Sequence, residues 1–232
     1  MPFFKDFDIL AHLSDLDTLG SEPSSPAKNR LRNEAMALIK DEDLVDAAYS
    51  YVLVDLDRPA ARGDQHIYLG GTSLPAPKLI PESGQLTALA CAVATVGSGI
   101  EQRISALFAE KRTSLALALD EVGNQLLFAV AREAEDRILV DATKRNLSMA
   151  GELRSGDPGL GLETQQTVLR LAEAAEIAVE VTASHVMTPL KSVSMVLGVG
   201  MNLPPATWSR CDQCPSRARG KCQLHKSTPA GC

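Results

Sequence analysis

The chain is predicted to fold as α+β, a single domain with a mixed or antiparallel sheet packed by a long central helix. Three observations lead there. Candidate strands and helices are intermixed without the regular βαβ rhythm that a parallel sheet requires. Ser114 to Leu139 places Leu115, Leu119, Val122, Leu126 and Ala129 on one stripe at helical spacing, which predicts the longest element. Leu86 to Val96 is a continuous run of small apolar residues ending in Gly97-Ser98-Gly99, the pattern of a buried strand that turns into a helix. Apolar residues make up 45% of the 232, yet only 4% are aromatic, so packing falls to Leu, Val, Ala and Ile.

Taken in order, residues 1–27 form a peripheral segment, acidic and then rich in turn residues from Gly20 to Pro26. The main domain spans 28–205 and a cysteine-rich tail spans 206–232. Pro26 precedes a helix over Asn29 to Lys40, whose Leu31, Ala35, Leu38 and Ile39 share a face. Tyr49 to Leu56 and Gln65 to Leu69 read as strands, paired as a hairpin or simply adjacent. Gly70 to Pro81, with two glycines and three prolines, reads as loop. The buried run follows, then a helix from Gly99 to Glu110 and the long helix. Gly123 in its interior costs about 1 kcal/mol relative to Ala, so a neighbouring segment or ligand is expected to need the space. A short segment after Asn146 leads to Arg154. Thr164 to Ala175 is helical, and Ile177 to Val181 and Val193 to Val199 are strands.

Charge and cysteines narrow the function classes. A formal charge of -6 argues against general nucleic-acid binding, which needs clustered Lys and Arg. The start carries no signal-like apolar core, and no run approaches the roughly 20 apolar residues of a bilayer span. These features place the chain in the cytoplasm, without membrane or nucleic acid as partner. Four of the five cysteines fall after residue 210, and a cytoplasmic protein keeps such thiols for metal rather than disulfides.

Three constellations carry chemistry. Arg154 opens the glycine-rich stretch to Gly161; a guanidinium holds a carboxylate by paired hydrogen bonds, and Gly156 and Gly159 let main chain approach a ligand. In Pro189-Leu-Lys-Ser-Val-Ser194, strand alternation puts Lys191, Val193 and Met195 on one face and the hydroxyls of Ser192 and Ser194 on the other. Cys211-x2-Cys214 followed by Cys222 supplies three thiolates. His225 as fourth ligand suits zinc, whereas Cys232 suits an iron–sulfur cluster. His12, His66 and His185 are isolated, and no nucleophilic triad is evident.

Four of these pieces also carry a resemblance. Leu119-Asp-Glu-Val-Gly123, Arg154 to Gly161, Leu162-Glu-Thr-Gln165 and Pro189 to Ser194, in that order, resemble the activation (reactivation) domain of cobalamin-dependent methionine synthase and its free-standing relatives. The resemblance covers roughly residues 30–225. It implies an accessory protein that presents S-adenosylmethionine to a corrinoid-bearing protein or a methionine synthase core, for reductive methylation of the corrinoid. Cobalamin would be met only through that partner, and an electron donor is a further implied partner. Arg154, Gly156, Gly159, Ser192 and Ser194 are the implied ligand-binding residues. Two positions depart from the family pattern: Phe128 stands where an acidic residue is expected, and the loop lacks its tyrosine. The rival reading is a non-catalytic zinc- or iron–sulfur-bearing interaction module that keeps the fold without the methyl donor.

Overall fold

Alternating residue size along one strand decides how the protein is layered. The computed structural model describes residues 3–5 and 25–213. In β5 (Gln85–Thr95), Ala88, Ala90, Ala92 and Ala94 face one core cluster while Leu89, Cys91 and Val93 face a second. A row of alanines lets a helix lie close against the sheet, and the larger side chains fill the looser opposite layer. The fold is therefore α+β, a five-stranded antiparallel sheet between a helical layer and a mixed layer.

Strand order is β1 (Phe3–Lys5), β2 (Ala48–Asp55), β5, β9 (Ser192–Met201) and β6 (Ser148–Leu153), with every neighbouring pair antiparallel. On the alanine face lie α1 (Pro26–Asp41), α2 (Gly99–Ala109) and α3 (Thr113–Lys144). Ser25 caps α1 by accepting a hydrogen bond from the Lys28 amide, and Pro26 starts it where no backbone donor is needed. The opposite face is covered by α4 (Gln165–Leu171) and by the ribbon of β3 (Ile67–Leu69) and β4 (Thr72–Leu74). A second two-stranded ribbon joins β7 (Glu180–Val181) to β8 (Met187–Thr188).

The central helix has 32 residues, about 48 Å at 1.5 Å per residue, and so crosses the whole sheet. Its length and mean hydropathy would suit a membrane span, but here its apolar side packs on the sheet. Over that length the stripe drifts: Leu115, Leu119, Val122 and Leu126 are buried as expected, whereas Ala129 is half-buried and Val130, Ala134 and Ile138 continue the core. At the far edge of the sheet Phe4 stacks on Tyr49 with centroids 4.9 Å apart, Arg137 lies 5.0 Å over the Phe4 ring, and Tyr51 donates to Asp141 at 2.7 Å. Those contacts tie β1 and β2 to α3.

Several elements differ from the sequence-based expectation. The Gly70 to Pro81 loop contains β4 and a 3-10 turn at Pro77–Leu79. Of the two arrangements the sequence allows for β2 and β3, the structure takes simple adjacency, with a single bridge from Leu56 to Leu69. The segment after Asn146 is the edge strand β6. The helix predicted from Thr164 to Ala175 ends at Leu171. Glu173 and Ala178, both left-handed, bracket a 3-10 turn there, and the following strand shrinks to two residues. Each miss lies in a short stretch where tertiary contact outweighs the local pattern.

Candidate functional site

Residues three, four and seven apart share one face of a helix, so Asp120, Asn124, Phe128 and Glu135 form a line along α3. That line faces the β9–β6 side of the sheet, and a basic side chain meets it at each end.

At the first end stands Lys191, just before β9. Its ammonium donates to Asp120 Oδ1 at 2.6 Å, Asn124 Oδ1 at 2.6 Å and the Asp120 carbonyl at 3.4 Å. Three acceptors match its three protons, and only 9% of the residue is exposed. Gly123 makes this packing possible. A Cβ there would sit 3.0 Å from Ile100 Cγ2 and 3.5 Å from Lys191 Cε, so α2 and the lysine need the missing side chain, as the sequence suggested. Glu101, Ser105 and Leu127 line a cavity of about 380 Å³ beside the lysine.

At the other end stands Arg154, directly after β6. A bulge decides which way it points. The register of β6 against β9 shifts between Ala150 and Glu152, with Gly151 at φ 73°. Without the extra residue Glu152 would turn to the mixed layer; with it, Glu152 and Arg154 both face α3. A side chain at Gly151 would also meet Trp208 at 3.1 Å, so the chain beyond β9 packs on the bulge.

The guanidinium of Arg154 is held on one side only. Nε donates to Glu152 Oε1 at 2.6 Å, and the group lies 5.6 Å over the Phe128 ring. Nη2 approaches Glu135 Oε1 at 3.9 Å, an ion-pair distance too long for a hydrogen bond. Among the described residues the two terminal nitrogens thus make no hydrogen bond. Asp157 accepts from the Arg154 amide at 2.8 Å and from both Nε and Nη2 of Arg210, while Arg210 Nη1 lies 3.5 Å from Glu152. Burial, helped by the negative charge of Glu152, pushes the Glu135 carboxyl up to about 7.

The glycine loop closes on itself. The amides of Gly156, Asp157 and Leu160 donate to Leu160, Arg154 and Asp157 carbonyls, which spends three of the donors an anion would have used. Gly156 and Gly159 both have φ near 100°. A Cβ on Gly156 would meet only Leu162 Cδ1 at 3.8 Å, which leaves the space over that turn open, whereas one on Gly159 would touch the Lys78 stem.

Ser192 and Ser194 face the opposite side of the sheet from Arg154, while Lys191 and Met195 face α3, in keeping with strand alternation. Ser192 donates to Thr95 Oγ1 at 2.9 Å, and Thr95 donates in turn to the Lys191 carbonyl. The sheet therefore lies between the two serines and the arginine. Gln165 is 2% exposed in the mixed layer, and its Nε2 has no hydrogen-bond partner among the described residues.

Of the sequence-predicted metal ligands, Cys214, Cys222, His225 and Cys232 lie outside the described residues. For Cys211 only the backbone is described, in the 3-10 turn Arg210–Gln213. Among the described residues no group of three or more His, Cys, Asp or Glu side chains is placed to hold a metal ion. Cys91 is fully buried, and burial raises its thiol to about 12, the behaviour of an inert core residue.

Glu135, Glu152 and Asp157 were not singled out from the sequence, and Arg210 stood out there only as one of the cations around the cysteines. Helical spacing from Phe128 marks Glu135, and spacing of two from Arg154 marks Glu152; the bulge that turns both Glu152 and Arg154 toward α3 has no sequence signature beyond Gly151.

No protein-family profile matches this chain, and no curated protein matches it in sequence. Among solved structures it is similar to one described as the crystal structure of the MetH reactivation domain bound to AdoHcy. The TM-score is 0.59 at 15% identity, with 97% of this chain and 87% of that chain covered. The chain has the fold of that domain.

Proposed function

We propose that the protein is an accessory domain that holds an S-adenosylmethionine-type ligand at Arg154 and presents it to a corrinoid-bearing partner. The observation that carries this reading is the guanidinium of Arg154, fixed at Nε by Glu152 and against Phe128, with its terminal edge unbonded among the described residues. A preorganised, half-buried fork of that kind is complementary to a carboxylate. The solved structure that shares the fold is described as carrying AdoHcy, which has such a carboxylate. Gly156 supplies open space beside the arginine. When bound, the ligand supplies a methyl group. The chain's part is to grip the ligand's carboxylate, orient it by Glu152 and Phe128, and keep α3 and β9 at fixed spacing through the Lys191 network. Ser192 secures the start of the strand from behind through Thr95.

Calorimetry under anaerobic conditions tests this. Wild-type protein should bind S-adenosylmethionine, and Arg154→Ala should weaken binding by roughly 1.5–3 kcal/mol, the scale of a lost charged hydrogen bond. No binding to wild type at millimolar ligand overturns the proposal.

The second reading, a metal-bearing interaction module, draws support from Phe128 in place of an acid. It also draws on the tail: Arg210 is seated on Asp157 and Glu152, so the cysteine-rich segment starts beside Arg154. On this reading Cys211, Cys214 and Cys222 bind one metal with His225 or Cys232. Zinc and iron per chain, measured on wild type and on separate His225→Ala and Cys232→Ala variants, distinguish zinc from an iron–sulfur cluster.

A further inference from the structure

We infer that Glu135 and Arg154 together form a clamp for an α-amino-acid head group, with Arg154 taking the carboxylate and Glu135 the ammonium. The inference rests on the ligand reading above and assigns to Glu135 the acidic role that Phe128 cannot fill.

Geometry carries it. Opposite charges on the protein are 3.9 Å apart at Glu135 Oε1 and Arg154 Nη2, which leaves both groups short of a hydrogen bond with each other. A zwitterionic head bears its own opposite charges on adjacent atoms, one carbon apart. It can therefore lie across this pair, donating to Glu135 and accepting from Arg154. Glu135 makes no hydrogen bond among the described residues, although its side chain is only 28% exposed. A carboxylate withdrawn from water without donors is costly, and a cationic ligand group removes the cost.

The surrounding charges suit the same occupant: the carboxylates of Glu135, Glu152 and Asp157 and the guanidiniums of Arg154 and Arg210 converge here, so both signs of charge are on offer to a zwitterion. Arg132 and Asp136 on the same helix also act on Glu135 and oppose each other in sign. Position on α3 explains why the acid can move. Glu135 lies seven residues after Phe128, two turns along the same face, and Arg154 spans both: its ring-facing side meets Phe128 and its terminal edge meets Glu135.

The test compares S-adenosylhomocysteine, which carries the head group, with 5′-methylthioadenosine, which lacks it. Binding to the full chain is measured by calorimetry at pH 8. Wild type should prefer S-adenosylhomocysteine. Glu135→Gln, which keeps the shape and removes the charge, should weaken that ligand about tenfold or more and leave 5′-methylthioadenosine unchanged. Wild-type affinity for S-adenosylhomocysteine should also rise between pH 6 and pH 8, whereas the Gln variant should show no such rise. The charged groups that act on Glu135 are Glu152, Arg154, Asp136 and Arg132. Should Glu135→Gln bind S-adenosylhomocysteine as tightly as wild type while Arg154→Ala loses it, the clamp is wrong and the ligand reading stands. If wild type binds neither S-adenosylmethionine nor S-adenosylhomocysteine, both are overturned.

Discussion

Lys191 and Arg154 are both largely buried cations facing α3, yet they are used differently. The lysine's three protons all meet acceptors, and Gly123 lets α2 close over it. Among the described residues the arginine has one bonded side and one unbonded edge, next to a carboxylate that also lacks donors. A saturated cation is a structural tie, because any new partner must first displace an existing one. An unsaturated, preorganised one can hold a ligand without that cost. The contrast predicts that substitutions at the Lys191 end act on stability and those at the Arg154 end act on binding.

The largest effect is expected at Gly123. Its Cβ alone would press on Ile100, so Gly123→Leu should lower stability by about 3 kcal/mol despite the better helix propensity of leucine. Urea unfolding measures it, and an unchanged midpoint would show that the lysine end is not tightly packed. Lys191→Ala comes next. It removes three hydrogen bonds while leaving Asp120 free to return to water, since 47% of that side chain is already exposed. A loss of about 2 kcal/mol is expected, without change in affinity for S-adenosylmethionine. A large drop in affinity would merge the two ends into one site.

Glu135 gives a pH-dependent prediction whose sign follows from its raised carboxyl. In the folded protein it titrates at about 7 rather than near 4.5, so the native state holds this proton more tightly than the unfolded chain. Wild type therefore loses stability as pH rises from about 4.5 to about 7 and is level beyond. Relative to wild type, Glu135→Gln should gain roughly 1–3 kcal/mol across that window. Thermal melts of both proteins at pH 5 and pH 8 read the difference; a constant gap between them would mean that the carboxyl is not desolvated. The smallest effect is at Phe128. Leucine keeps the apolar bulk but loses the ring under Arg154, for about 0.5–1 kcal/mol of stability. Its larger consequence should be a looser arginine, seen as weaker ligand binding with nearly unchanged melting.

Patterns of period and size already determined much of this molecule. The α+β class, the buried strand from Leu86, the long helix and its need for a small residue at 123 all follow from residues close together in sequence, because helical and strand periodicity are local properties. So does the split between Lys191 on one face of β9 and Ser192 and Ser194 on the other. Only the tertiary structure decided what those faces meet. Pairing of β6 against β9 is a contact over some fifty residues, and the single-residue bulge at Gly151 reverses the faces of everything after it, so Glu152 and Arg154 turn together to α3 instead of to the mixed layer. The same pairing puts Arg154 over Phe128 and beside Glu135, and brings Arg210 to Asp157 across 53 positions. Charge balance and solvent exclusion at such a site depend on which distant groups converge there, and no local pattern in the chain encodes that convergence.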